Sequence, residues 1–569
     1  MTFLARTRAV NQAVLRVGRR LASDRRGNVA VIFALVLPLL IMITLGGVDI
    51  SRASTVKMNL QDALDAATLA AARSQFVEDE DITDVGIASL RANLAPFQDI
   101  VLDTGQTTFR LDPESGAVVA NAVVSVKTLV ANIALPPYGQ ILDDRLPVKA
   151  HSEVLRSNNR IEVALVIDNT GSMEGAKLDA TKAAAIDLIN RLEAADGRSI
   201  EEDAIKISLV PFSMTVRVAQ GGTSTYPNYM SNALTHTGST GTTGLFSVGV
   251  GRFTLLSSMG TTWGGCVEGR PIPYDIRDTA PSSGNQSTMF VPYFSPDEPD
   301  KGDYPRDSTW QTWLNASNSD ENDYLEDGVT FPADTRNNPF GTGSAATTAR
   351  NAAWDARMRA TTKYLVANRR ATLTTSYGPN QGCNLQPIIR LTDNYTALRT
   401  AVSNMVATGN TNVPLGAMWG WHTLSPNAPF GDGRPYNSER LQKIIIIMTD
   451  GANVMTDNAG RNDSFYNGLG YIWQGRLGIT SGNDSTRRTR MDNRMDHATA
   501  GTEDLCGNMK SAGLEVYTVA VQVDSTAQTL LRRCATTAAD HYFPVNSASG
   551  IGAAFDRIAG RIENLRISR

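Results

Sequence analysis

The sequence predicts an α/β protein with a doubly wound, mainly parallel sheet and a large inserted subdomain, preceded by a single N-terminal transmembrane helix. Three observations predict it. Apolar runs of strand length at 161–167, 204–212, 443–449 and 514–521 alternate with helical patterns, as in a sheet with helical crossovers. The alternation stops between about 214 and 387, where Gly, Ser, Thr, Pro and aromatic residues dominate. An unstructured loop of that length does not fit a compact domain, so it reads as an insertion. Residues 29–48 carry no charge, and a helix rising 1.5 Å per residue over that stretch spans a hydrocarbon core of about 30 Å.

The charge around that stretch orients it. Residues 1–26 hold seven Arg and one acid, Asp24; with −4 on the whole chain, the remainder carries −10. Basic residues before the apolar run place the N-terminus in the cytoplasm and the body outside. An acidic body argues against nucleic acid as a partner. Ser51-Arg52-Ala53 offers a signal-peptide cleavage site, but the run exceeds the usual 7–15 residues of such a signal, which favours an uncleaved anchor. The expected organisation is a cytoplasmic tail (1–26), an anchor with a helical extension (27–75), a small β-rich periplasmic segment (76–159) and the α/β body (160–569).

The extension carries Met58, Leu60, Ala63, Leu64, Ala67, Ala70 and Ala71 on one face. Its small residues suit close approach by another helix, or simply a good Ala-rich helix. Residues 118–130 and 146–154 have strand composition. In the insertion, a helical period is visible only at about 347–366. Its acids, Asp297, Glu298, Asp300, Asp303, Asp320, Glu321, Asp323, Glu326 and Asp327, lack the spacing of a calcium loop and read as solvated charge. After it come helices at 394–406 and from Pro414, then one at about 496–511, with 527–534, a short strand at 542–543 and a last helix at 551–565.

The first strand of the body stops at Asp168, followed by Asn169-Thr170-Gly171-Ser172 and a helix from about Lys177. Asp168, Thr170 and Ser172 stand at spacing two, so an extended turn can aim three oxygens at one point. A carboxylate with two hydroxyls is a hard donor set suited to Mg²⁺; an Asx turn with a helix N-cap is the plainer alternative. Asp450 ends the 443–449 strand as Asp168 ends its own, and Thr411 lies in the polar turn Gly409-Asn-Thr-Asn412 that opens a helix. All five residues therefore belong to the ligand-binding edge of an α/β sheet.

At these residues the chain resembles the von Willebrand factor A domain. Asp168-Asn-Thr-Gly-Ser172 matches the family's Asp-x-Ser-x-Ser, with Thr for the first Ser, and is joined by Thr411 and by Asp450 in Met-Thr-Asp-Gly. The resemblance covers roughly 160–215 and 388–569. It implies a metal-ion-dependent adhesion site in which Asp168, Thr170, Ser172, Thr411 and Asp450 hold Mg²⁺, with Mn²⁺ or Ca²⁺ as substitutes, and a protein partner's carboxylate completes the ion. Arg26-Gly-Asn-Val-Ala-Val-Ile-Phe33 and Gln61-Asp-Ala-Leu-Asp-Ala-Ala67 are similar to the N-terminus shared by TadE and TadG proteins. Segments at 264–270, 290–299 and 419–426 resemble the A-domain region of TadG. That resemblance implies a role in bacterial Flp (tight-adherence) pilus assembly, with the anchor in the inner membrane and the body in the periplasm, other assembly components as partners and no small-molecule substrate. Gly27 is followed by Ile32 where a prepilin-type site has Glu, so prepilin processing is not expected.

Enzyme readings fare worse. The five His form no close pair, which disfavours a zinc hydrolase. Ser172 lacks the flanking glycines of a nucleophile elbow. Phosphoryl transfer with Asp168 as nucleophile is the serious rival, but such sites usually carry a second acid where Thr170 stands. A pilin-like structural component, its metal site only stabilising the fold, is the third reading. The four Cys all follow the anchor, and an even number in an oxidising space suggests two bridges. Three connectivities exist; Cys506–Cys534, on neighbouring helices around 514–521, is preferred, and Cys266–Cys383 then ties the insertion to its exit.

Overall fold

The structure is a computed structural model describing residues 28–567 apart from 75, 77, 98–99, 113–114, 128–144, 156–158, 198, 200–202, 223–226, 232–243, 247–250, 299–321, 323, 326–343, 366–371 and 458–461. The basic tail lies outside the described residues. The chain divides into two compact units, Met1–Ser157 and Asn158–Arg569.

The first unit holds helices α1 (Asn28–Arg73) and α2 (Asp79–Leu94) and strands β1 (Ile100–Leu102), β2 (Thr108–Leu111), β3 (Ala117–Lys127) and β4 (Arg145–Leu155). Strand β3 pairs antiparallel with β4 along one edge and with β1 and β2 along the other. On α1, Leu60, Ala63, Leu64, Ala67 and Ala71 recur every three or four residues and are buried with Val118, Val124 and Phe109 of the sheet. The small-residue face thus packs within its own unit. The segment read as β-rich opens with α2, whose stripe Ile82, Gly86, Leu90 and Leu94 is buried. At Gly86 a Cβ would stand 2.5 Å from the Phe109 ring, so only glycine lets the ring lie on the helix.

The first half of α1 has a different environment. Ile32, Phe33, Leu35, Val36, Leu37 and Leu40 are exposed. Among the described residues no helix is long and apolar enough to cross a membrane. The backbone of 29–48 is helical, but side chains at 29–31, 38–39, 41–43 and 45–46 lie outside the described residues, so the anchor remains an expectation from the sequence.

The second unit runs β5 (Arg160–Asp168), α3 (Ala176–Asp196), β6 (Ile205–Phe212), β7 (Val216–Arg217), α4 (Arg252–Ser258), β8 (Cys266–Glu268), β9 (Val291–Pro292), α5 (Ser344–Met358), β10 (Ile389–Thr392), α6 (Tyr395–Ser403), α7 (Val413–Leu424), β11 (Leu441–Thr449), α8 (Asp484–Met495), α9 (Leu505–Ser511), β12 (Leu514–Val521), α10 (Ser525–Cys534), β13 (Tyr542–Val545) and α11 (Ile551–Ile567). Strands β13, β12, β11, β5 and β6 are parallel in that order. The chain leaves β5 for β6 on one side and returns to β11 on the other. The C-terminal ends of β5 and β11 therefore frame the switch point, where open α/β sheets bind ligands.

The insertion is less separate than its composition suggests. Strands β7, β8 and β9 extend the same sheet antiparallel beyond β6, and β10 pairs antiparallel with β6. Pieces of two to four residues are too short to show periodicity. The helix expected at about 496–511 is shorter: only α9 is helical there, started by Asp504, which accepts from the Gly507 N–H, while α8 ends before that stretch and was not expected. Asp297 and Glu298 are buried, not solvated. Asp297 accepts from the Tyr324 and Leu325 N–H groups at 2.7 and 2.6 Å and pairs with Lys363 at 3.1 Å, and Glu298 accepts from Tyr471 at 2.6 Å. The structure pairs Cys266 with Cys383 and Cys506 with Cys534.

Helix α7 positions the site. Gly416 and Gly420 lie on one face, where an added Cβ would come within 2.4 Å of Phe212 and 2.3 Å of Val166. Without side chains there the helix rests directly on β5 and β6, with its N-terminus, next to Thr411, near the C-terminal end of β5.

Candidate functional site

Asp168 is the last residue of β5 and is wholly buried. A parallel strand flanked by two others leaves its end residue in the crevice between the following loops. The Asp168 Oδ1 accepts from the Thr170 N–H at 2.9 Å, and Oδ2 accepts from the Thr449 hydroxyl at 2.6 Å. Thr170 Oγ1 and Ser172 Oγ are 3.0 Å apart, and Ser172 donates to Asp450 Oδ1 at 2.6 Å. The other oxygen of Asp450 accepts from Lys177 Nζ at 2.6 Å. The turn is short because residues 171–173 form one 3₁₀ turn before Gly175, whose φ of +80° suits glycine and starts α3.

Thr411 is brought in by backbone interlocking. Gly171 N–H donates to Gly409 O at 2.9 Å, Thr408 N–H to Asn169 O at 2.8 Å, and Val454 N–H to Thr411 O at 2.9 Å. Asn412 caps α7 through the Leu415 N–H, so Thr411 sits just outside the helix. A Cβ on Gly451 would lie 3.3 Å from Thr411 Oγ1 and 3.8 Å from Ser172 Oγ. The five residues singled out in the sequence thus share one crevice, and Gly451 leaves it open. Asn169 Oδ1 and Asn412 Nδ2, on the two framing loops, are buried without a hydrogen-bond partner among the described residues.

Burial pushes the Asp168 carboxyl up to about 6, and the charge of Asp450 adds to the rise; the Thr449 and Thr170 hydrogen bonds oppose it. A cation in the crevice would reverse both causes. Among the described residues no group of three or more His, Cys, Asp or Glu is placed to hold a metal. The donors here are two carboxylates and three hydroxyls, which fit a hard cation that accepts neutral oxygens and keeps some waters. Two contributors escaped the sequence reading. Thr449, beside Asp450, donates to Asp168. Lys177 occupies the first turn of α3, where the helix dipole disfavours a cation; that misfit is the signal which marks it.

These features define a class: an α/β switch-point site of hydroxyls and carboxylates, in a chain whose first unit packs a long helix on an antiparallel sheet. Residues 27–74 match the Flp pilus-assembly TadE/G-like family. No curated protein matches the chain. Among solved structures, it is similar to the pilus adhesin SpaC from Lactobacillus rhamnosus GG (10% identity, TM-score 0.28), over 82% of this chain and 34% of SpaC. It is also similar to the vWF domain of the type V pili tip protein Mfa5 from Porphyromonas gingivalis (12%, TM-score 0.29; 72% and 97% covered). The PilB minor pilin from Streptococcus sanguinis is a third (10%, TM-score 0.29; 82% and 78% covered). The chain spans about a third of SpaC's length.

Proposed function

We propose that the protein is a component of Flp/Tad pilus assembly, anchored in the bacterial inner membrane by 29–48, whose periplasmic second unit binds a protein partner through a Mg²⁺-dependent site. The TadE/G-like segment at 27–74 supports the assembly role. The observation that carries the binding role is the convergence of Asp168, Thr170, Ser172, Thr411 and Asp450 in one crevice at the switch point. When bound, the ion supplies an electrophilic position for a partner's carboxylate. The chain's part is to hold the donors. Thr449 and the Thr170 N–H orient Asp168, Ser172 orients Asp450, and Gly451 leaves room above them.

Phosphoryl transfer from Asp168 fits the geometry poorly. Both of its oxygens already accept hydrogen bonds and neither is exposed, whereas a nucleophile has to reach its substrate.

The test is the melting temperature of the full chain in detergent with Mg²⁺ or EDTA, with pull-down from a membrane extract under both conditions. Mg²⁺ is expected to raise the wild-type melting temperature by linkage. Asp450→Ala abolishes the rise and Thr411→Ala reduces it, since water replaces a neutral ligand. No shift in the wild type, with capture unaffected by EDTA, overturns the proposal. A second reading has its own observation, the exposed apolar half of α1 continuing into a packed half. A pilin-like subunit needs such a helix to join a filament. If Asp168→Ala leaves co-purification with pilus components unchanged, this reading takes precedence.

A further inference from the structure

Lys177 is the one cation seated in the crevice among the described residues. Its Nζ lies 2.6 Å from Asp450 Oδ2 and 3.2 Å from the Ser172 carbonyl oxygen, while the other oxygen of Asp450 holds the Ser172 hydroxyl. The Asp450 side chain is fully buried and that of Lys177 is 27% exposed. An ammonium is a compact point charge on a flexible stem. This one reaches a carboxylate and a backbone carbonyl from the second residue of α3, where the positive end of the helix dipole opposes it. The helix therefore does not explain its place; the crevice does.

We infer that Lys177 is a tethered competitor for the divalent cation, seated on the Asp450–Ser172 corner of the site until the ion displaces it. The inference rests on the metal reading above and deepens it. With the ammonium in place, the Asp450 carboxylate is paired and does not stand as an uncompensated buried charge, which would be costly. To enter, a divalent ion must break the Lys177–Asp450 contact. The partial exposure of the stem gives the ammonium a way out to solvent without unfolding α3. Affinity for the ion is thereby lowered, and the freed ammonium stands at the rim, where it favours an anionic partner group. The device lets the chain fold with Asp450 paired before any ion arrives, and it makes occupancy depend on the divalent concentration.

The experiment measures Mn²⁺ binding to the full chain in detergent by the EPR signal of free Mn²⁺. The proteins are wild type, Lys177→Met, Lys177→Arg and Asp450→Asn. Removing the ammonium is expected to tighten Mn²⁺ binding about tenfold or more, the effect of a nearby like charge at a partly buried site. The arginine variant keeps the charge and stays within about threefold of wild type. In EDTA, Lys177→Met melts below wild type, because Asp450 is left unpaired; saturating Mn²⁺ brings it level or above. Lys177→Ala is read alongside in case the methionine variant does not fold. If wild type binds Mn²⁺, Asp450→Asn does not, and removal of the ammonium leaves affinity unchanged or weaker, the competitor role is overturned while the metal site stands. If neither wild type nor the Lys177 variants bind Mn²⁺ at millimolar concentration, the metal reading fails and the competitor role falls with it.

Discussion

The cost of ionising Asp168 without a metal can be worked out and measured. Its folded value of about 6 stands above the ordinary 3.8. The folded state thus holds this proton more tightly than the unfolded chain. For a raised carboxyl the stability contribution is full below pH 4 and is lost as pH rises through about 6. A difference of about two pH units corresponds to about 3 kcal/mol at neutral pH. His422 runs the other way. It is wholly buried and burial pushes it down to about 4, so its neutral form is favoured and stability is lost as pH falls from 6.5 towards 4. The two opposed windows overlap, and the pH profile of the wild type alone would hide both.

The difference between wild type and Asp168→Asn isolates the carboxyl. Asparagine retains an acceptor for the Thr170 N–H and a partner for Thr449 but never ionises. Urea unfolding in EDTA, followed by tryptophan fluorescence, is the assay; all seven Trp fall after residue 260, so the signal comes from the second unit. Relative to wild type, the variant should gain about 2–3 kcal/mol between pH 4.5 and 7.5. Saturating Mg²⁺ at pH 7.5 should remove most of that gain by stabilising only the wild type. A difference independent of pH would refute the argument that burial and Asp450 destabilise the charged form.

Gly420→Ala should cost about 1–3 kcal/mol, because its methyl meets Val166, and should weaken the Mg²⁺ shift by moving α7; melting with and without Mg²⁺ checks both. Glu268 is buried between Arg252 and Arg476 and accepts from Tyr466. Glu268→Gln should therefore cost about 3–5 kcal/mol in urea unfolding, since two guanidinium groups lose their counter-charge. Replacing both cysteines of Cys266–Cys383, 117 residues apart, by serine should destabilise more than replacing those of Cys506–Cys534, 28 apart, by about 1 kcal/mol on loop-closure entropy; equal losses would count against it.

Much of the sheet was legible because its parallel strands are buried on both faces and read as unbroken apolar runs with a polar residue at the end. That property marked Asp168 and Asp450, and the polar turn before Pro414 in α7 marked Thr411. The insertion's strands β7 to β9 were not legible, since so few residues carry no period. Helix α2 was passed over because acids at its start masked the Ile82–Leu94 stripe. Asp297 and Glu298 were misread because nothing local announces burial; their partners, Tyr324, Lys363 and Tyr471, come from distant segments.

The charges on β5 and β11 differ between the two ends of the strand pair, and the difference supports the proposed cation site. At the N-terminal end Glu162 lies directly opposite Lys443, and the two buried side chains form an ion pair that Arg434 supports at 3.3 Å. Lys443 is 3% exposed, so that end is closed by a buried cation built into the strand. At the C-terminal end β5 finishes in Asp168 and β11 is followed directly by Asp450, two acids with no strand-borne cation between them. The nearest positive charge arrives from outside the sheet, on the partly exposed stem of Lys177. A structural pair would serve stability best if it were as buried as Glu162–Lys443. An arrangement that leaves one carboxyl raised to about 6 and pairs the other with a removable ammonium sacrifices stability at that end. Such a sacrifice is characteristic of a binding site, and its reversal by a divalent ion is the measurement on which the proposed function depends.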